Sequence, residues 1–103
     1  MKKKTIKKKK LSKECWDLDY QFIKWLNEHL KVYKKDASKF VNLEYHKFEY
    51  QNREWTQQEI IDRLIVLTNI LVTDYDYLYP DEQKDKVNEM LDLWKLVFPA
   101  MWW

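Results

Sequence analysis

The side chains that most often carry out covalent or acid–base catalysis are scarce in this chain, which has one cysteine, Cys15, and two histidines, His29 and His46. A catalytic thiol needs a nearby base and surroundings that lower its pKa. Cys15 instead falls on an apolar stripe with helical spacing, which favours inert packing. His29 flanks that stripe, where we expect a half-buried side chain, and His46 with Glu44 supplies too few ligands for a metal site. We therefore predict no catalytic residue, no metal and no cofactor; the distant alternative is a metal-dependent enzyme built on acidic residues, with Asp74 and Asp76 as a pair that could hold a divalent cation.

A second chemically distinctive group alternates carboxylates with tyrosines. We call it the acidic–aromatic surface; its residues are Asp74, Tyr75, Asp76, Tyr77, Tyr79, Asp81 and Glu82. Acids continue through Asp85, Glu89 and Asp92, so that residues 74–92 contain seven acidic side chains and two basic ones. Acids steer a basic partner, and tyrosines bury a large area at little cost in entropy. The pattern predicts a protein-binding surface; the alternative is a polar loop whose tyrosines fold back onto the core.

The charge of the chain changes abruptly after its first residues, since eight of the first thirteen are lysine. Residues 14–103 hold 11 basic side chains against 17 acidic ones, a net charge of −6. Residues 1–11 are predicted to form a disordered arm, because like charges keep such a segment extended. Its lysines are Lys2, Lys3, Lys4, Lys7, Lys8, Lys9 and Lys10. They could neutralise nucleic-acid phosphates, solubilise the chain or contact an anionic lipid surface.

The chain ends with two tryptophans, Trp102 and Trp103. An exposed aromatic pair lowers solubility unless something covers it. Two interpretations remain open: one tryptophan packs under a hairpin, or the pair anchors in a pocket of a partner. We place both residues among the candidate partner-binding residues.

Composition limits the class of protein. At 103 residues the chain is predicted to form one domain, residues 12–103, behind the arm. Glycine is absent, which argues against phosphate-binding loops, nucleophile elbows and dinucleotide fingerprints. One cysteine requires no oxidising compartment, and no apolar stretch follows the basic start as it would in a signal peptide, so we expect a cytoplasmic protein without a membrane span.

The first predicted helix covers residues 14–35, with Ser12 as its N-cap. Apolar residues three and four apart predict one buried face. That stripe contains Cys15, Leu18, Phe22, Trp25, Leu26, Leu30 and Tyr33, with Trp16, Tyr20 and Ile23 widening it.

Two further helices follow from periodicity. Thr56 and Glu59 form a capping box before an apolar run, which predicts a helix start and a helix that is covered almost all round, with a polar strip through Asp62 and Asn69. Pro80, ahead of two acids, opens the last helix. Its predicted buried stripe is Val87, Met90, Leu91, Trp94, Val97 and Phe98.

Between the first two helices the apolar pattern is that of strands, over residues 40–55. Alternation on Val41, Leu43 and Tyr45 changes phase near His46, which predicts a bulge. Asn52 tolerates the left-handed conformation of a tight turn, so we predict a short hairpin. The fold class is therefore α+β, with three helices and a hairpin between the first and second.

Three segments carry a resemblance to a known group of proteins: Cys-Trp-Asp-Leu-Asp-Tyr at 15–20, Tyr-Gln-Asn-Arg-Glu-Trp-Thr-Gln-Gln-Glu at 50–59, and Phe-Pro-Ala-Met-Trp-Trp at 98–103. In these the chain resembles small function-unassigned proteins of bacteriophages and mobile elements. The resemblance implies a context in which short, acidic, glycine-poor proteins bind host machinery stoichiometrically, including the nucleases of defence systems.

These observations favour a non-enzymatic binding protein that docks the acidic–aromatic surface onto a basic site of a host or phage protein. The alternative is a nucleic-acid-binding accessory protein in which the lysine arm makes the contacts. The two hypotheses require different orientations of the acidic face. A binder of basic protein needs the face at residues 73–92 accessible, whereas a nucleic-acid binder must turn that face away from the phosphates.

Overall fold

The computed structural model describes residues 17–74 and 81–101, apart from the side chains of residues 81 and 82. Within these residues, the order is α1 (Leu18–Ala37), β1 (Lys47–Tyr50), β2 (Arg53–Thr56), α2 (Gln57–Thr73) and α3 (Asp81–Val97), and a 3-10 turn (Phe98–Ala100) follows α3. This confirms an α+β fold with three helices and a hairpin between the first and second. The lysine arm, Ser12 and Cys15 lie outside the described residues.

The start of α2 is fixed by the predicted capping box. The Glu59 amide donates to Thr56 Oγ1 at 3.1 Å, and the Thr56 amide donates to Glu59 Oε1 at 3.0 Å. Arg53 Nη2 also donates to Glu59 Oε2 at 2.6 Å. The Thr56 backbone hydrogen bond, supported by the charge of Arg53, lowers the pKa of Glu59. The box therefore joins the end of β2 to α2 without an intervening loop.

The core is built on α2. Five of its apolar side chains are buried: Ile60, Ile61, Leu64, Leu67 and Leu71. Both α1 and α3 pack against this helix. The predicted coverage is wrong at Val66, which is 45% exposed; this residue lies between Asp62 and Asn69 on the same side of α2, so the open strip contains an apolar residue.

The predicted buried face of α1 is confirmed at Ile23, Leu26 and Leu30 and wrong at its other edge. Leu18 and Trp25, predicted to be buried, are 61% and 50% exposed. The residues that α1 does bury are Ile23, Leu26, Asn27, Leu30 and Ala37. Both lines of residues recur at helical spacing, and packing against α2 selects the line that contains Leu26 and Leu30. The helix also starts later than predicted, after Asp17, which has a left-handed backbone with φ 51°.

A buried polar contact fixes how α1 sits on α2. Asn27 Nδ2 donates to Thr68 Oγ1 and to Asn69 Oδ1, each at 2.8 Å. The Thr68 hydroxyl in turn donates to the Leu64 carbonyl oxygen at 2.7 Å. A buried amide without these partners would cost free energy, so only the register that pairs Asn27 with Thr68 is favourable.

His29 is exposed, which corrects the expectation of a half-buried side chain. Its ring stacks on Trp25 with centroids 4.2 Å apart, and Nδ1 donates to the Trp25 carbonyl oxygen at 2.7 Å. His29 follows Trp25 by about one helical turn, so both side chains lie on the solvent side of α1.

The hairpin is shorter than predicted. Residues 38–46 form turns and bends, and only Lys47–Tyr50 pairs with Arg53–Thr56. The predicted strand through Val41, Leu43 and Tyr45 is therefore wrong, and the phase change near His46 marks the start of β1 instead of a bulge. Carbonyl groups of this segment accept hydrogen bonds from the first amides of α2, so they are not available to a strand: Gln58 donates to Leu43, and Gln57 donates to His46.

The turn of the hairpin is formed as predicted. Gln51 and Asn52 have φ values of 53° and 59°, so both central residues are left-handed. Two such residues make the type I′ turn whose twist matches the flanking strands. Asparagine is the residue after glycine that best tolerates this conformation, and the chain has no glycine.

The buried stripe of α3 differs from the predicted one at three positions. Met90, Leu93 and Val97 are buried, so Leu93 was missed. Leu91 is exposed. Phe98 is also exposed, because the helix ends at Val97 and the 3-10 turn containing Pro99 changes the direction of the chain. The Phe98 ring makes an edge contact with Trp94 at 5.2 Å.

The burial pattern of α2 predicts that truncating two adjacent side chains has very different effects on the free energy of unfolding. Leu67→Ala should lower the free energy of unfolding by about 2–5 kcal/mol, because Leu67 is fully buried and its truncation leaves a cavity. Val66→Ala is the matched control and should cost about 0.5 kcal/mol, because that side chain is exposed. Urea denaturation of both variants measures the difference. Equal midpoints would show that α2 does not form the core.

Candidate protein-binding surface

Within the described residues, Asp74 lies at the start of the acidic–aromatic surface. Asp74 is exposed and caps the C-terminus of α2, where its amide donates to the Ile70 carbonyl oxygen at 2.8 Å. The Asp74 carbonyl oxygen accepts from Gln83 Nε2 at 3.4 Å. Gln83 is buried in the first turns of α3. The end of α2 and the start of α3 therefore lie side by side, and Asp85 is exposed at the same end.

Most of the predicted surface lies outside the description. Tyr75, Asp76, Tyr77 and Tyr79 fall in residues 75–80, which are not described, and the side chains of Asp81 and Glu82 are not described either. Trp102 and Trp103 likewise lie outside the described residues.

The acids farther along α3 do not form one continuous exposed face. Arg63 on α2 holds Glu89 by two hydrogen bonds, from Nε at 2.6 Å and from Nη2 at 3.0 Å. Hydrogen bonding to Glu89 raises the pKa of the Arg63 guanidinium. Because residue 74 contacts residue 83 and residue 63 contacts residue 89, the two helices run antiparallel. Glu89 thus serves to hold α3 on α2, and its charge is largely neutralised.

Asp92 is also engaged within the fold. Its Oδ2 accepts from the Tyr50 hydroxyl at 3.1 Å, which links the hairpin to α3. Burial, together with the hydrogen bond to Asp92 and its charge, raises the pKa of Tyr50. The ring of Tyr50 makes an edge contact with Trp55. Asp92 is exposed but takes part in this link, whereas the exposed acids Asp74 and Asp85 lie where the end of α2 meets the start of α3.

A shallow pocket lies where the 3-10 turn meets the α1–β1 connection. It has a volume of about 240 Å³ and is lined by Val41, Asn42, Tyr45, His46, Gln57 and Ala100. Gln57 Nε2 donates to the Ala100 carbonyl oxygen at 3.4 Å and holds the turn at this place. Tyr45 is exposed on the rim of the pocket, and His46, expected in a strand, is exposed there as well.

The described residues contain no group of three or more histidine, cysteine, aspartate or glutamate side chains that could hold a metal ion. Over the same ranges, no helix has the length and apolar character needed to cross a membrane.

Comparison of the chain with models of protein families, with curated proteins and with solved structures finds no match.

The sequence patterns did not predict the contacts that engage Glu89 and Asp92 within the fold. Arg63 and Tyr50 are the partners, and both are far from Glu89 and Asp92 along the chain. Arg63 is the only basic residue of α2, between Ile60 and Leu67, which is a signal that it pairs with an acid on a neighbouring helix. The Tyr50 contact had no comparable signal, because it depends on where the hairpin packs.

Stability measurements can distinguish an acid of α3 that holds the helices together, Glu89, from one that is only exposed, Asp85. Glu89→Gln should lower the free energy of unfolding by about 1 kcal/mol, because it weakens a two-point, charge-assisted contact between helices. Asp85→Asn is the matched control on the same helix and should change stability by less than about 0.5 kcal/mol. Chemical denaturation at neutral pH and low salt gives both values. A larger loss in Asp85→Asn would mean that the exposed acid also holds the helices together.

Proposed function

We propose that the chain is a small non-enzymatic binding protein that docks its acidic–aromatic surface onto a basic site of another protein. The observation that carries the proposal is the convergence of exposed acids at one end of the α2–α3 pair. Asp74 and Asp85 flank this end, and the Gln83 contact with the Asp74 backbone fixes the two helix ends relative to each other. Asp74 and Asp85 lie at helix ends that are packed on each other, so ordering their backbone on binding costs little conformational entropy.

The chemistry of the segment between the helices favours a basic protein as the partner. Of the seven residues of the acidic–aromatic surface, which runs from this segment into the start of α3, four are carboxylates and three are tyrosines. The carboxylates would accelerate encounter with a positively charged site, and the tyrosines would slow dissociation once they are desolvated. A nuclease or another nucleic-acid-processing protein of a bacterial host has a site of this charge. The resemblance to phage and mobile-element proteins favours such a target in the host cytoplasm.

A role of the lysine arm in nucleic-acid binding is the second candidate, favoured by eight lysines among the first thirteen residues. The arm and the acidic–aromatic surface have opposite charges, so one partner class does not suit both.

Affinity capture separates the two candidates. The tagged full-length chain is incubated with bacterial lysate, with and without nuclease treatment. We expect a discrete protein partner to survive nuclease treatment. Loss of every bound protein after nuclease, together with salt-sensitive DNA or RNA binding that disappears on deletion of residues 2–10, would instead assign the function to the arm.

The surface itself is tested with charge and aromatic variants. Replacing Asp74, Asp76, Asp81 and Glu82 by Asn or Gln should slow association with the captured partner by about tenfold or more at low salt and remove most of its salt dependence. Tyr75→Ala with Tyr77→Ala should chiefly speed dissociation. Surface plasmon resonance or stopped-flow kinetics gives both rates.

The control for this experiment keeps the change in net charge but moves it elsewhere. Glu28, Glu44, Glu49 and Glu54 are exposed acids of α1, the α1–β1 connection and the hairpin, and all four are changed to Gln. This variant should bind at nearly the parental rate if the location of the acids matters. Parental binding by both surface variants, with the fold intact by circular dichroism, would place the interface elsewhere.

A further inference from the structure

The outer side of α1 carries a line of side chains, of which all but Phe22 are exposed. We call it the outer seam; it consists of Leu18, Phe22, Trp25, His29 and Val32. The residues are spaced four, three, four and three apart, which is the repeat of helices that pack against another helix along their length. Val32 is 58% exposed, and Leu18 and Trp25 are exposed to a similar degree. An open groove of about 490 Å³ runs beside Leu18, Phe22 and Trp25.

The side chains at the centre of the seam are ordered in the single chain. The His29 ring stacks on Trp25 at 4.2 Å, and the hydrogen bond from His29 Nδ1 to the Trp25 carbonyl oxygen fixes the ring. Phe22 is half-buried and rests on the core cluster. Ordered aromatic side chains in the middle of an exposed apolar strip are typical anchors of an interface.

We propose that a second copy of this chain packs antiparallel on the outer seam. The seam is nearly symmetric about Trp25, since Leu18 and Val32 lie seven residues to either side. A two-fold axis at Trp25 places Leu18 of one copy against Val32 of the other, and Phe22 against His29. Each pair occurs twice, as a two-fold interface between identical chains requires.

Charge complementarity supports both the identity and the direction of the second helix. The seam is flanked by acid at the start of α1, at Asp17, and by exposed lysines near its end, at Lys31 and Lys35. In the antiparallel arrangement, Asp17 of one copy is level with residue 33 of the other, between these two lysines on the same flank. A parallel arrangement would instead bring the two acid-bearing helix starts to one end of the pair and the two lysine-bearing ends to the other, which is unfavourable.

The helix dipoles favour the same direction, because each helix end then lies beside an opposite end. The interface is small, with five side chains from each copy, so it belongs at the weak end of the range for specific association. The dimer therefore forms at high protein concentration and dissociates on dilution. This inference does not depend on the proposed function, since the acidic–aromatic surface lies at the end of α2 and α3.

Sedimentation equilibrium of the full chain, from about 10 µM to about 1 mM, tests the dimer. We expect a concentration-dependent shift from monomer to dimer. Leu18→Gln with Val32→Gln should weaken the dimer by about tenfold or more, and both sites are exposed, so the monomer stays folded. The matched control is Val66→Gln with Leu91→Gln, two exposed apolar residues on α2 and α3, and it should leave dimer formation unchanged.

Disulfide trapping tests the direction in a Cys15→Ser background, because Cys15 is the one native cysteine. Trp25→Cys should cross-link to itself, since it lies on the two-fold axis. Leu18→Cys alone and Val32→Cys alone should not, because an antiparallel arrangement separates each from its own copy by about 21 Å along the helix. A mixture of these two variants should cross-link, since a disulfide requires Cα atoms about 4.4–6.8 Å apart.

A chain that remains monomeric at about 1 mM overturns the proposal, as does a control variant that weakens the dimer as much as the seam variant does. Self-cross-linking of Leu18→Cys also overturns it, because that result requires parallel helices. Circular dichroism of each variant confirms that the helices are present before the result is interpreted.

Discussion

The packing of α2 between α1 and α3 is the interaction on which the rest of the structure depends. Its buried isoleucine and leucine side chains each contribute about 1.5–3 kcal/mol by leaving water. The same helix receives the hairpin through the capping box at Thr56 and Glu59, and it holds α3 through Arg63. Among the described residues, α2 packs against both α1 and α3 and also contacts β2, so removing it would leave these elements without their common surface.

The core uses only one side of each flanking helix, and this has consequences for function. On α3, Glu89 faces α2 and pairs with Arg63, while Asp85 near the start of the helix remains exposed. On α1 the Asn27 contact with Thr68 fixes the rotation of the helix, and this rotation directs Trp25 toward solvent. The proposed surfaces therefore result from how the core sets the rotation of each helix.

Local chemistry explains which features could be predicted from the sequence. The capping box and the turn at Asn52 depend on neighbouring residues, so both were predicted at the right positions. The buried face of α1 was predicted only in part, because Trp25 and Leu26 belong to two apolar lines with the same helical spacing, and contact with α2 decides between them. The predicted strand at Val41 was wrong for a similar reason, since carbonyl groups of that segment accept hydrogen bonds from amides of α2. The acid pairs of α3 depend on tertiary contacts in the same way.

Hydrogen exchange of individual amides, followed by NMR, tests the central role of α2 most directly. The amides of Leu64, Leu67 and Leu71 should exchange slowest in the chain, with opening free energies equal to that of global unfolding. The ends of α1 and the hairpin should exchange through smaller openings at lower free energy. Faster exchange in α2 than in α1 or α3 would contradict the account, because the helix that organises the core would then be able to open on its own.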